Sequence, residues 1–184
     1  MKIILASASP RRCELIKLIT DSFEVIPADV DETIPEDVPA SEAAVYLACK
    51  KAEAVKAGGC AVIGCDTSVV IDDNILGKPS CDEDCRRMLH MLSGKTHTVY
   101  TGTAIAVNGR IYSFTEATQV EFYKLSEEEI NWYISTGEPF DKAGGYGIQG
   151  RGALLVRSIC GDYFNVVGLP VAVLSRKLNE LGII

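Results

Sequence analysis

Two long β-rich runs, residues 98–107 and 111–123, meet at Asn108-Gly109. Asn-Gly between two such runs is the strongest short-range hairpin signal, because the favoured two-residue turn needs left-handed backbone at both positions. A long hairpin excludes an all-parallel doubly wound sheet, whose neighbouring strands are joined by crossovers and not by tight turns. Around the hairpin the pattern alternates. Residues 2–6 read as a short buried strand, and a helix opens with Ser9 as N-cap and Pro10 at its first position, running through Leu15 and Leu18. A strand over 23–27, an acidic loop over 28–33 and a helix over 39–57, closed by Gly58-Gly59, come next. The apolar strand 61–65 runs into Asp66-Thr67 and continues over 69–71 towards a turn at Asp72-Asp73-Asn74, and a helix spans 82–92. Ser126-Glu-Glu-Glu129 is a capping box for a helix reaching about Ser135. A glycine-rich loop over 137–152, a strand over 153–159 and a last helix from Pro170 complete the chain. The expected class is α/β or α+β with a mixed sheet flanked by helices, in a single domain spanning 1–184.

Hydrophobic residues make up 47% and charged residues 23% of the 184, the balance of a soluble globular domain. No apolar stretch approaches the ~20 residues of a membrane span, and the first residues enter a strand with neither a cationic leader nor a small-residue cleavage site. The expected location is therefore the cytoplasm, without a membrane partner. A net charge of −7 argues against a general nucleic-acid binder, so any anion site must be a local basic pocket. The seven cysteines are odd in number and read as reduced thiols; Cys60-x4-Cys65 and Cys81-x3-Cys85 lack the usual zinc spacing.

The turn Ser7-Ala-Ser-Pro-Arg-Arg12 carries the first chemical signal. Arg11 and Arg12 fall in the first turn of a helix, at the positive end of its dipole, where anions are favoured and cations are not. Two guanidinium groups, hydroxyls and free backbone N–H groups at one strand-to-helix turn point to a bound anion, with phosphate the leading candidate. The plainer alternative is that both arginines point into water. Asp66, at the end of an apolar strand, is either neutralised by a partner, kept as a turn or cap with Thr67 and Ser68, or held at a working site. Glu32 shares its loop with Asp29 and Asp31, as solvated charge or as part of a divalent-cation site. Lys51 on its helix has the profile of an ordinary surface lysine, whereas Lys78, between Gly77 and Pro79, is better placed as a fixed cation. Gln149 offers amide donors and acceptors within the glycine loop. Carboxylates, cations and an arginine turn together form the inventory of metal-assisted phosphoryl chemistry.

Two motif matches fail on context. Ser93-Gly-Lys-Thr96 lacks the glycine that a phosphate-binding loop requires at position 89 and follows a helix instead of a strand. Gly145-Tyr-Gly-Ile-Gln-Gly150 matches the dinucleotide fingerprint in letters but leads into a strand.

In order along nearly the whole chain, Ser7-Ala-Ser-Pro-Arg-Arg12, Glu32, Lys51-Ala52, Gly64-Cys-Asp-Thr67, Gly77-Lys-Pro79, Leu92–His97, Glu138–Gly150 and Asn165–Pro170 resemble the Maf family of nucleoside triphosphate pyrophosphatases. The resemblance implies a cytosolic, Mg²⁺- or Mn²⁺-dependent enzyme that cleaves a nucleoside triphosphate to the monophosphate and pyrophosphate. It implies the fold of the inosine triphosphate pyrophosphatases: an elongated mixed sheet with two lobes around a central cleft, often as a homodimer. Carried over by residue, Asp66 is the general base or the ligand that orients the attacking water, and Glu32 helps to hold the cation. Ser7, Ser9, Arg12, Lys51 and Lys78 grip the triphosphate, while Arg11, Thr67 and Gln149 match the specificity positions of the branch acting on dTTP and UTP. The branch acting on 7-methyl-GTP tends to carry Trp at the first of these. Cys65, where alanine is common, is a mild departure that keeps the side chain small. The rival functions are a non-catalytic nucleotide-binding regulator of cell division and a purine pyrophosphatase of the inosine triphosphate type.

Overall fold

The computed structural model describes residues 1–55 and 58–184. The chain runs β1 (Lys2–Leu5), α1 (Pro10–Ile16), β2 (Phe23–Val25), α2 (Ala43–Ala54), β3 (Cys60–Ile71), β4 (Asn74–Leu76) and α3 (Asp82–Leu92). It continues with β5 (Thr96–Val107), β6 (Arg110–Phe122), α4 (Glu127–Ser135), β7 (Val156–Cys160), α5 (Tyr163–Val167) and α6 (Val171–Glu180), with three short 3₁₀ turns between α4 and β7. Among the described residues the strands form one mixed sheet in the order β2-β1-β3-β5-β6-β7, with β4 paired to β3. The β1 strand is parallel to both β2 and β3, whereas β3–β4 and β6–β7 are antiparallel. Asn108 and Gly109 take φ of 50° and 73°, the doubly left-handed turn that the hairpin requires.

The chain divides into two compact units. One comprises 1–66, 101–116 and 168–184; the other comprises 67–100 and 117–167. In the first, Ile3, Ile4 and Leu5 of β1 and Ala61, Val62 and Ile63 of β3 are buried, as continuous apolar runs in parallel strands must be. In the second, α3 buries Cys85, Met88, Leu89 and Leu92 along one stripe and carries Asp82, Glu83 and Asp84 in its first turn, where the dipole favours them. Phe122, Ile130, Tyr133 and Tyr146 join that stripe in a single core cluster.

Several boundaries differ from expectation. Leu18 lies beyond α1, because the helix stops at Ile16, and residues 39–42 form a turn that leads into α2. The described part of α2 ends at Ala54; the expected end at Ala57 lies outside the described residues. The strand expected from Ala153 starts at Val156, since residues 150–155 form a 3₁₀ turn. The capping box at Ser126 is present in full, with Ser126 N–H donating to Glu129 Oε2 at 2.8 Å and Glu129 N–H to Ser126 Oγ at 3.3 Å.

Candidate active site

In the first unit β1 and β3 run side by side with Leu5 opposite Ile63, and Ala6 N–H donates to the Ile63 carbonyl at 2.8 Å. Ser7 therefore leaves the carboxyl end of β1 close to Asp66, which lies just past the paired stretch of β3, and open α/β sheets place their ligands at the carboxyl ends of parallel strands. Ser7 is buried, and its Oγ accepts from Ser9 N–H at 3.3 Å and from Arg12 Nη1 at 3.2 Å. Ser9 occupies the N-cap position with extended backbone and Pro10 follows it, although the Ser9 side chain makes no capping bond. Arg12 does not simply face water: its Nε donates to the Gly168 carbonyl at 2.8 Å, joining this turn to the segment that enters α6. Arg11 is half-buried beside it.

The second cluster owes its position to small residues. Ala44, Ala48 and Ala52, spaced four apart on α2, are almost completely buried. They let the helix backbone rest on the sheet. A methyl group added at Gly64 of β3 would lie 2.2 Å from the Ala48 carbonyl oxygen, and one at Gly102 of β5 would lie 2.2 Å from Val45 N. This close approach carries Lys51 over β3. Its side chain is 11% exposed, and its Nζ lies 2.6 Å from Asp66 Oδ1 and 2.7 Å from Glu32 Oε1. Glu32 is aimed there by its loop: Asp31 Oδ1 accepts from Thr33 Oγ1 at 2.6 Å and from Thr33 N–H at 3.0 Å, and Lys50 Nζ donates to the Asp31 carbonyl. Asp31 is thus a turn residue, and these Thr33 bonds hold its pKa below the usual carboxylate value.

Asp66 lies inside a 12-residue strand and not at a strand end. Lys51 is its partner, whereas the buried Ser68 Oγ has no hydrogen-bond partner among the described residues, so the turn-or-cap alternative is replaced. Between the two clusters sits the buried Cys65 thiol, pushed up by burial; the charges of Arg12 and Lys51 oppose that shift and Asp66 adds to it. Two carboxylates around one cation are an all-oxygen donor pair, the kind that hard Mg²⁺ or Mn²⁺ accepts together with substrate phosphates.

The other predicted residues belong to the second unit. Thr67, half-buried, is its first residue. Lys78 is exposed, and the preceding Gly77 carbonyl accepts from Gly144 N–H at 2.9 Å, which ties the Lys78 segment to the glycine loop. Gln149 is exposed, and its side chain makes no hydrogen bond among the described residues. The loop is anchored at Tyr146, whose Oη lies 2.6 Å from His97 Nε2 and whose ring packs edge-on against His97 and Phe122. Burial lowers the His97 pKa to about 4 and raises that of Tyr146, so both are neutral near pH 7.

Glu32, Lys51 and Asp66 thus form one ion-pair cluster, Ser7, Ser9 and Arg12 a second beyond the end of β1, and Lys78 and Gln149 a third group on linked segments. Residue types gave no notice of Gly64 and Gly102 as packing positions, of the His97–Tyr146 pair, or of Glu138, whose carboxylate accepts from Arg151 N–H in the glycine loop. The spacing of Ala44, Ala48 and Ala52 was the available signal for the first of these.

A family model described as Maf-like protein matches residues 2–181. A Bacillus cereus protein named dTTP/UTP pyrophosphatase is 49% identical over 184 residues, covering 99% of this chain and 96% of that protein. Among solved structures, a HAM1 protein from Coxiella burnetii aligns with a TM-score of 0.56 over 98% of this chain and 99% of its own. The Ham1 protein of Staphylococcus aureus aligns with a TM-score of 0.58 over 98% and 100%. Both are 16% identical, and the likeness is one of fold. With a family model matched across residues 2–181 and a relative 49% identical along its length, the chain belongs to the Maf-like protein family.

Proposed function

We infer that this protein is a nucleoside triphosphate pyrophosphatase that hydrolyses dTTP and UTP to the monophosphate and pyrophosphate. The observation that carries the reading is Lys51, held between Glu32 and Asp66 in a chain 49% identical along its length to a dTTP/UTP pyrophosphatase. Water attacks the α-phosphorus, the bond to the bridging α–β oxygen breaks, and pyrophosphate leaves with the electron pair. Asp66 orients that water and takes its proton. Glu32 and Asp66 are the residues that would hold Mg²⁺ or Mn²⁺, which when bound neutralises charge on the phosphate oxygens. Arg12 and Lys78 grip the triphosphate with the Ser7 and Ser9 hydroxyls, and Lys51 offers its ammonium to the same anion. Fixed cations stabilise charge developing on the leaving pyrophosphate with little reorganisation.

Arg11, Thr67 and Gln149 choose the base. The Gln149 amide donates to a base oxygen and accepts from a ring N–H, the pairing that uracil and thymine both present. The two units work as one domain over 1–184. The protein acts in the cytoplasm, as a homodimer and without a nucleic-acid partner; among the described residues no helix is long and apolar enough to cross a membrane. Incubation of the purified protein with dTTP or UTP and Mg²⁺ or Mn²⁺ tests the reading. Equal amounts of monophosphate and pyrophosphate are expected. Nucleotide binding without pyrophosphate release would instead identify a regulator, and preference for ITP a purine enzyme.

A further inference from the structure

Gln149 stands at the tip of a loop that closes on itself. A methyl group at Gly152 would lie 2.2 Å from the Gly147 carbonyl oxygen, so residues 147 and 152 touch backbone to backbone. Between them Gly150 turns with φ of 65°, a left-handed conformation that glycine accepts without strain. A loop of this kind exposes backbone N–H groups that need acceptors. Glu138 supplies one. Its carboxylate accepts from Arg151 N–H through both oxygens, at 3.0 and 3.2 Å, and lies against Gly150, where an added methyl would meet it at 3.1 Å. On the other side of the tip, the fully buried Tyr133 accepts from Gly147 N–H at 3.3 Å through its Oη. Glu138 is itself held, because Lys142 Nζ donates both to its carbonyl and to Asp141 Oδ1.

The tip therefore takes its shape from Glu138 and Tyr133, while the Gln149 side chain, outside this network, contributes nothing to it. We propose that Glu138 is a positioning residue for base choice, its carboxylate fixing the backbone that follows Gln149, at Gly150 and Arg151, while Tyr133 holds Gly147 before it, so that the amide is presented in one orientation. This rests on the reading of Gln149 as the base-selecting residue. An ionised acceptor makes a stronger bond to a backbone N–H than a neutral one, which is why a carboxylate suits this place. Glu138 touches no reacting atom in this role.

A double-mutant cycle on the full-length protein tests the proposal. The readout is the ratio of kcat/KM for dTTP to that for CTP in wild type, Glu138→Ala, Gln149→Ala and the double variant. Gln149→Ala is expected to lower the ratio at least tenfold, Glu138→Ala to lower it by a similar factor, and the double variant no further than Gln149→Ala alone. Glu138→Gln, which keeps one accepting oxygen, should fall between wild type and Glu138→Ala, and serves if the alanine variant does not fold. Faster amide exchange at Arg151 in folded Glu138→Gln is the accompanying structural readout. If Gln149→Ala leaves the ratio unchanged, the base-selecting role of Gln149 fails and the positioning role with it. If Gln149→Ala lowers the ratio while Glu138→Ala and Glu138→Gln reduce all nucleotides equally, Glu138 is merely structural and the proposal alone is overturned.

Discussion

The two units hold their functional groups in opposite ways. In the first, charges are set by backbone: α2 lies on the sheet at Gly64 and Gly102, and Lys51 reaches Asp66 and Glu32 because the helix can come that close. In the second, a loop rich in glycine is set by side chains: Tyr146 anchors it in an aromatic cluster with His97 and Phe122, and Glu138 and Tyr133 hold its tip. On the proposed reading, phosphate chemistry, the same for every nucleotide, falls to the sheet-mounted charges of the first unit. Base choice, on the same reading, falls to a loop that can be altered without moving the sheet. Each region should therefore break in its own manner.

The largest effect is expected from Asp66→Asn, which keeps the shape but cannot accept a proton. Turnover should fall by roughly 10²–10⁴ while nucleotide binding, followed by calorimetry, is largely kept. A variant within tenfold of wild type would remove Asp66 from its role. Gly64→Ala should come next. Its methyl group has nowhere to go between β3 and α2, so the packing that places Lys51 is lost at a cost of about 3 kcal/mol, with activity falling alongside. Gly58→Ala is the control, since nothing lies within 4 Å of the added methyl. Denaturant melts of the pair read the contrast directly.

Arg12→Ala removes a charged hydrogen bond to Gly168 and another to Ser7, so the structure adds a stability loss of about 1.5–3 kcal/mol to the expected loss of rate. A variant with unchanged melting would show that the Gly168 contact carries no net stability. Acid is the gentlest probe, and it reads the second unit. His97 binds a proton at pH 6.5 when unfolded but only at about 4 when folded. Below pH 6.5 the unfolded chain thus holds more protons, and stability falls as pH drops from 6.5 to 4 and then levels off. The loss is on the order of 3 kcal/mol. His97→Phe, which keeps the edge-on ring packing, should flatten that part of the stability–pH curve relative to wild type. Parallel curves for the two proteins would deny His97 this role.

Local rules fared best where local chemistry decides. The Asn108-Gly109 turn, the Ser126 capping box, the start of α1 at Pro10 and the limits of α3 were all legible, because a few adjacent residues satisfy their own backbone. The continuity of β3 through Asp66 was not. A half-buried carboxylate reads as a strand end until its counterion is known, and that counterion comes from 15 residues away on a packed helix. Lys51 looked like a surface lysine for the same reason. The short β4 and α5 carry too few residues to show a period. The residue types of the site were readable, and the resemblance ordered them, but which charges pair is decided by tertiary packing at two glycines.

The division of labour itself is tested most directly by measuring kcat/KM for dTTP, UTP and CTP in wild type, Arg12→Ala and Gln149→Glu. Arg12→Ala should fall by one common factor of about 10²–10³ on all three, since its proposed substrate contact is with the phosphates and not with the base. Gln149→Glu should lose activity on dTTP and UTP far more than on CTP, because its acceptor-only carboxylate no longer matches the uracil and thymine edge. Equal losses across the three nucleotides in Gln149→Glu, or a changed preference in Arg12→Ala, would contradict the account.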